Sequence, residues 1–177
     1  MSPKPSAVAA AVRGNAAVTL AVAAIAGFVT ALAPATRTGA AEETAYPQGA
    51  VAFQSNCALC HGASGAGVPA LAPPLTSYPA RYAASAEGRR QLAITVLYGM
   101  IGDITVGEAH FNSQMPDFGR LDDATLAAAL NFVVFDLAHA GPDVKPLTVA
   151  EIAAERAHAL DGAAVHEHRK SLAVAGS

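Results

Sequence analysis

Cys57-Ala58-Leu59-Cys60-His61 is a C-x-x-C-H run, and it holds both cysteines of the 177-residue chain. This pattern suits covalent attachment of a c-type haem: two thiols add across the two vinyl groups of one porphyrin, and the imidazole takes one axial position on the iron. Residues three and four apart on a helical turn share a face, so Cys57, Cys60 and His61 can address a single macrocycle. Other chemistries use paired cysteines. A thioredoxin-like dithiol expects a surrounding βαβ pattern, which is missing here. A zinc site needs four ligands, and there is no second Cys pair. A disulfide between Cys57 and Cys60 would close a very short, strained loop and constrain the unfolded chain little.

Haem iron has a second axial position. Met115 is the prime candidate, because Pro116 fixes the backbone beside it in a loop just ahead of a capped helix. Met100, at the end of an apolar helical stretch, and His110, in the same loop as Met115, are the rivals. A His and Met pair raises the reduction potential relative to two histidines. His139, His158, His166 and His168 fall in or after the last helices and read as solvated.

The elements that position these groups are helical. Gln48 to Cys57 places Ala50, Val51 and Phe53 at helical intervals and delivers the motif at its end. Gly62 to Pro79 is dense in Gly and Pro and reads as a long loop. Glu87 to Met100 is a second helix, with Leu92, Ile94, Val96 and Leu97 as its apolar residues. Ile101 to Asn112 has short alternation around Ile104 and Val106, which allows a small hairpin. Asp122 caps a further helix carrying Leu126, Leu130, Val133, Val134 and Leu137, expected to end near Gly141-Pro142. Thr148-Val149-Ala150-Glu151 is a capping box, opening a helix from Val149 to about Leu160. Asp161 to Ser177 reads as frayed. The fold expected is all-α, with long loops and an extra C-terminal helix.

The first 41 residues have a different character. Lys4 and Arg13 come without any acid, Gly14 to Thr36 carry no charge, and Ala31, Ala33 and Ala35 follow. This is the layout of an export signal, with an apolar stretch long enough to serve as a retained membrane anchor instead. The expected division is a signal or anchor over 1–41, a haem domain over 42–141 and a helical tail over 142–177. Without residues 1–41, 8 basic residues face 14 acidic ones, a formal balance of −6. That balance argues against nucleic-acid binding and permits steering toward a basic partner. With 15 glycines, 11 prolines and no tryptophan, the haem domain needs the porphyrin to complete its core, so folding is expected to be coupled to haem.

The order Gly49, Phe53, Cys57-x-x-Cys60-His61, Pro73-Pro74-Leu75, Met115-Pro116 and a final helix with Phe132 resembles class I cytochrome c over residues 47 to 138. The resemblance implies one covalent haem c per chain, held by Cys57 and Cys60 with His61 and Met115 as iron ligands. It also implies that the first and last helices cross near Gly49 and Phe132, and that the Pro73 carbonyl accepts the His61 ring proton. Gly102-x-Ile104-x-Val106 followed by Phe111-Asn112-x-x-Met115-Pro116 is similar to an insertion in cytochrome subunits of bacterial periplasmic dehydrogenases. There it would cover one haem edge, with Asn112 either bonding near the methionine or capping a turn. Asp122 stands where the family usually has Ser or Thr, and it keeps the capping role.

The function implied is single-electron transfer without a catalytic residue. The chain would be periplasmic, soluble or anchored by its N-terminal segment. It would work in a respiratory chain between a dehydrogenase or respiratory complex and an oxidase or another cytochrome. Two alternatives stand beside it: a haem enzyme or gas or redox sensor with a labile distal methionine, and a haem-free thiol-disulfide oxidoreductase.

Overall fold

Seven α-helices, one π-helical segment and one short hairpin make up residues 44–172, the part of the chain that the computed structural model describes. The expected export segment over 1–41 lies outside the described residues.

Helix α1 (Pro47–Asn56) begins with Pro47, which suits a first turn because its missing N–H would be unpaired there anyway. Its buried face is Gly49, Ala52 and Phe53, whereas Val51 points outward and is 69% exposed. A one-turn helix α2 (Ala58–His61) follows directly. Helix α3 (Tyr78–Ala83) lies partly within the stretch expected to be loop. Helix α4 (Ala86–Tyr98) is capped by the Ser85 hydroxyl, which accepts from the Gly88 N–H at 3.1 Å, and it buries Leu92, Ala93, Ile94 and Leu97. Strands β1 (Ile104–Val106) and β2 (Ala109–Phe111) form the antiparallel hairpin, with Ile104 opposite Phe111.

Helix α5 (Asp123–Asn131) is capped by Asp122, whose carboxylate accepts from the Thr125 N–H at 2.8 Å. It runs on into a π-helical segment, Phe132–Leu137. There Phe132, Val133 and Val134 are consecutive and all buried, Phe132 and Val133 packing with Phe53 and Val134 joining the main core. The rod stops at Ala138, earlier than Gly141-Pro142, because His139 takes a left-handed conformation with φ 51°.

Helices α1 and α5 cross at Gly49. A side chain there would run into the Ala128 carbonyl and come within 2.8 Å of Phe132 Cβ. The rings of Phe53 and Phe132 meet at a tilt of 50° beside the crossing, with centroids 5.4 Å apart.

The tail is part of the core. Helix α6 (Val149–Arg156) opens with the expected capping box, and Ile152 is fully buried. Helix α7 (Gly162–Ser171), capped by Asp161, replaces the fraying expected there and buries Val165. Buried Asn131 exchanges two hydrogen bonds with the Leu147 backbone, at 2.7 and 2.9 Å. His166 and His168 are not solvated either: His166 Nε2 lies 2.8 Å from the Asp103 carbonyl, and His168 Nδ1 lies 2.6 Å from Gln91 Oε1.

Arg89 ties α4 to α6. It donates to both Glu151 oxygens at 2.6 and 2.8 Å, and to the Lys145 and Pro146 carbonyls. The Arg89 hydrogen bond holds the Glu151 carboxyl down at about 2, with further bonds from Thr148 helping. A folded-state pKa below the unfolded one gives stability that is complete above pH 4.5 and drains as pH falls toward 2. The pair is partly exposed, so its contribution at neutral pH is about 1 kcal/mol. Thermal melts of wild type and Arg89→Gln should therefore differ by a few degrees at pH 6 and by clearly less at pH 2.5, where only the bonds to the Lys145 and Pro146 carbonyls still separate them. A gap that does not depend on pH would contradict this account of the contact.

Candidate functional site

The C-x-x-C-H motif sits where α1 hands over to α2. The Cys57 N–H closes the last turn of α1 on the Phe53 carbonyl, and the His61 N–H bonds the Cys57 carbonyl at 3.0 Å. This turn brings Cys57, Cys60 and His61 to one wall of an apolar cleft. Neither cysteine is in a disulfide, and both are half-buried. His61 is 8% exposed.

The loop after the motif is shaped to orient His61. The Gly67 N–H bonds the His61 carbonyl at 2.7 Å, and the Leu75 N–H bonds the Gly65 carbonyl at 2.7 Å. Gly67 has φ +77°, and a side chain on it would lie 2.7 Å from Pro74 N. Only glycine lets the loop double back this tightly. The result puts the Pro73 carbonyl 2.9 Å from His61 Nδ1. An Nδ1–H donated to that carbonyl leaves Nε2 as the free lone pair of the ring. Burial lowers the His61 pKa, with the Pro73 bond opposing, so the ring is kept neutral and able to ligate.

Two methionines line the cleft. Met100 and Met115 bond each other reciprocally through their backbones, N–H to carbonyl, at 3.0 Å in both directions. Gly99, at φ +70°, makes the turn into this pair, where a side chain would strike the Met115 carbonyl. The Ile101 N–H continues the contact to the Gly162 carbonyl at 3.0 Å, so the start of α7 braces the segment.

His110 stands apart. It is on the outer side of the hairpin with its side chain 71% exposed, near Thr105 and Asp103, and it does not line the cleft. The hairpin turns Ile104 and Phe111 inward instead, covering one side of the cleft. Asn112 is exposed, and its side chain makes no hydrogen bond among the described residues. Ser113 bonds the Ala70 carbonyl nearby, at 3.1 Å.

The walls also hold residues that the motif pattern did not indicate. Tyr78 and Tyr82 enter from α3, and Arg169 enters from α7. The four-residue spacing of the tyrosines was a usable sign of one helical face, but Arg169 lies in a polar run with no local mark.

An apolar slot has a neutral, oriented imidazole and two free thiols on one wall and a thioether on the cleft lining. This donor set fits a porphyrin iron bonded to the chain through sulfur. Comparison with known proteins agrees. The family described as Cytochrome c matches residues 47–134. Two sequences of cytochrome c-552 from Thermus thermophilus are 35% identical over 120 residues, covering 67% of this chain and 92% and 81% of theirs. With a family match that contains every lining residue of the cleft except Arg169, and a likeness that spans most of those relatives, the chain is a member of the cytochrome c family.

Proposed function

We propose that the chain is an exported, periplasmic electron carrier holding one haem c. Cys57 and Cys60 would form the thioether bonds, and His61 and Met115 would ligate the iron. When bound, the haem supplies a one-electron couple whose potential is set by its two axial ligands. The chain's own residues keep that couple fixed. The Pro73 carbonyl holds the His61 ring in one tautomer, and the Met100–Met115 backbone pair holds the opposite loop. Preset ligands need little rearrangement between oxidation states, which suits fast transfer to transient partners. Those partners would be a dehydrogenase or respiratory complex on one side and an oxidase or another cytochrome on the other, with the N-terminal segment serving as export signal or membrane anchor.

The single observation that carries the reading is the His61–Pro73 bond at the wall that also holds both free thiols. A thiol-disulfide role is disfavoured by the same burial: it pushes the Cys57 thiol up to about 11, with Cys60 adding to the effect. Reactive thiols are shifted the other way. Mass spectrometry and a redox titration of the exported protein test the proposal together. One covalent haem and a reversible one-electron wave, with the methionine-to-iron band in the ferric spectrum, are expected. A haem-free chain with two thiols would overturn it, and so would a high-spin ferric form that binds carbon monoxide readily on reduction.

A further inference from the structure

The cleft has two loop-built sides. Residues 62–77 supply one of them, with Leu71, Ala72, Pro73 and Leu75 on the lining, and this is the loop whose Pro73 carbonyl orients His61. Residues 99–118 supply the other and carry Met115. That second segment is fixed from behind. Met115 pairs with Met100 through the backbone, and the Phe118 N–H bonds the Val96 carbonyl at 2.9 Å. Toward the first loop its hold is different. Among the described residues one hydrogen bond joins the two sides, from the Ser113 hydroxyl to the Ala70 carbonyl at 3.1 Å.

Both ends of that bond are set up by their surroundings. Ala70 takes a left-handed conformation, φ 61°, which a residue with a Cβ adopts at a cost and keeps only where its neighbours fix it. The fixing comes from a tight turn: the Val68 N–H bonds the Ala72 carbonyl at 2.9 Å, and the Leu71 and Ala72 N–H groups both return to the Val68 carbonyl at 3.0 Å. This turn presents the Ala70 carbonyl to Ser113. On the opposite side Phe111 is buried at the end of β2 and pins the chain two residues before Ser113. Ser113 in turn stands two residues before Met115, and Ala70 three residues before Pro73.

We propose that Ser113 is a positioning residue for Met115: its hydroxyl clasps the two sides of the cleft together, tying the loop that orients one axial ligand to the loop that carries the other, and so slows release of the thioether. The proposal rests on the haem reading above, with Met115 as the distal ligand. Losing one such bond raises the population of the opened loop by about 2- to 10-fold.

The test uses the full exported chain, loaded with haem, and imidazole as the probe, since it enters the distal position of ferric protein only when the methionine has left. Ser113→Ala removes only a hydroxyl at a half-buried position. Imidazole binding should become about 2- to 10-fold faster in that variant, and the methionine-to-iron band should fade at a lower temperature. Ser113→Thr, which keeps the hydroxyl, should return both toward wild type. The unfolding transition seen by far-ultraviolet circular dichroism should stay where it is in all three proteins. Wild-type imidazole rates in Ser113→Ala, or a Ser113→Thr variant as fast as Ser113→Ala, overturn this proposal alone. So does a drop in the unfolding temperature that matches the loss of the band, because the residue would then act on the whole fold. A wild type lacking a pyridine haemochrome or the methionine band overturns the reading above and this proposal with it.

Discussion

A chain carrying Cys57→Ser and Cys60→Ser, expressed under conditions that load the wild type with haem, is expected to be colourless, with the mass of the bare polypeptide and no cooperative melt. Serine differs little from cysteine in volume, and neither cysteine side chain makes a hydrogen bond or disulfide in the structure, so the substitutions do little to the polypeptide directly. Their effect would come through the group they fail to hold. The cleft is walled by Phe53, Leu75, Leu92, Ile104, Phe111 and Val133 among others. Covering on the order of 200 Å² of such surface at ~25 cal/mol per Å² is worth about 5 kcal/mol. Whole domains are stable by only about 5–15 kcal/mol. Far-ultraviolet circular dichroism across a thermal ramp, alongside the haemochrome spectrum, measures the result. A double variant that melts as sharply as wild type would show that the polypeptide core suffices alone.

Met115→Ala should keep the covalent haem and lose its distal bond. The red-edge methionine band disappears, the ferric iron becomes high-spin or takes up water, the ferrous form binds carbon monoxide, and the potential falls by on the order of 0.1–0.3 V. Backbone pairing between residues 100 and 115 does not depend on the side chain, so the loop should hold its place. Met100 makes a demanding control, since it lines the same cleft. Met100→Leu should retain the band. If Met100→Leu loses the band while Met115→Ala keeps it, the ligand assignment is reversed.

Local patterns revealed the motif turn, the capped helices at Asp122 and Thr148, and the close approach at Gly49, because each depends on residues near one another or on the family order. They failed where tertiary contact decides. Tyr78-Pro79 looked like the end of a Pro-rich loop, although proline in a first turn also starts helices, as it does in α3. Asp161-Gly162 looked like a break, yet the Asp161 carboxylate caps α7 through the Ala164 N–H at 2.8 Å. The alternation of charge in α7 hid its inward side, since His166, His168 and Arg169 face groups far away in sequence. The apolar period of α5 could not reveal a widened turn, because Phe132 and Val133 pack in one cluster with Phe53 while Val134 joins the other.

The contacts of the last two helices reach back 62 to 77 residues, from Glu151 to Arg89, His166 to Asp103 and His168 to Gln91. A polypeptide delivered amino end first therefore presents its Cys57–His61 pentapeptide long before Arg169 can arrive. Assembly has a built-in order: the pentapeptide emerges first, and the flank of the groove that α7 closes is completed only after it.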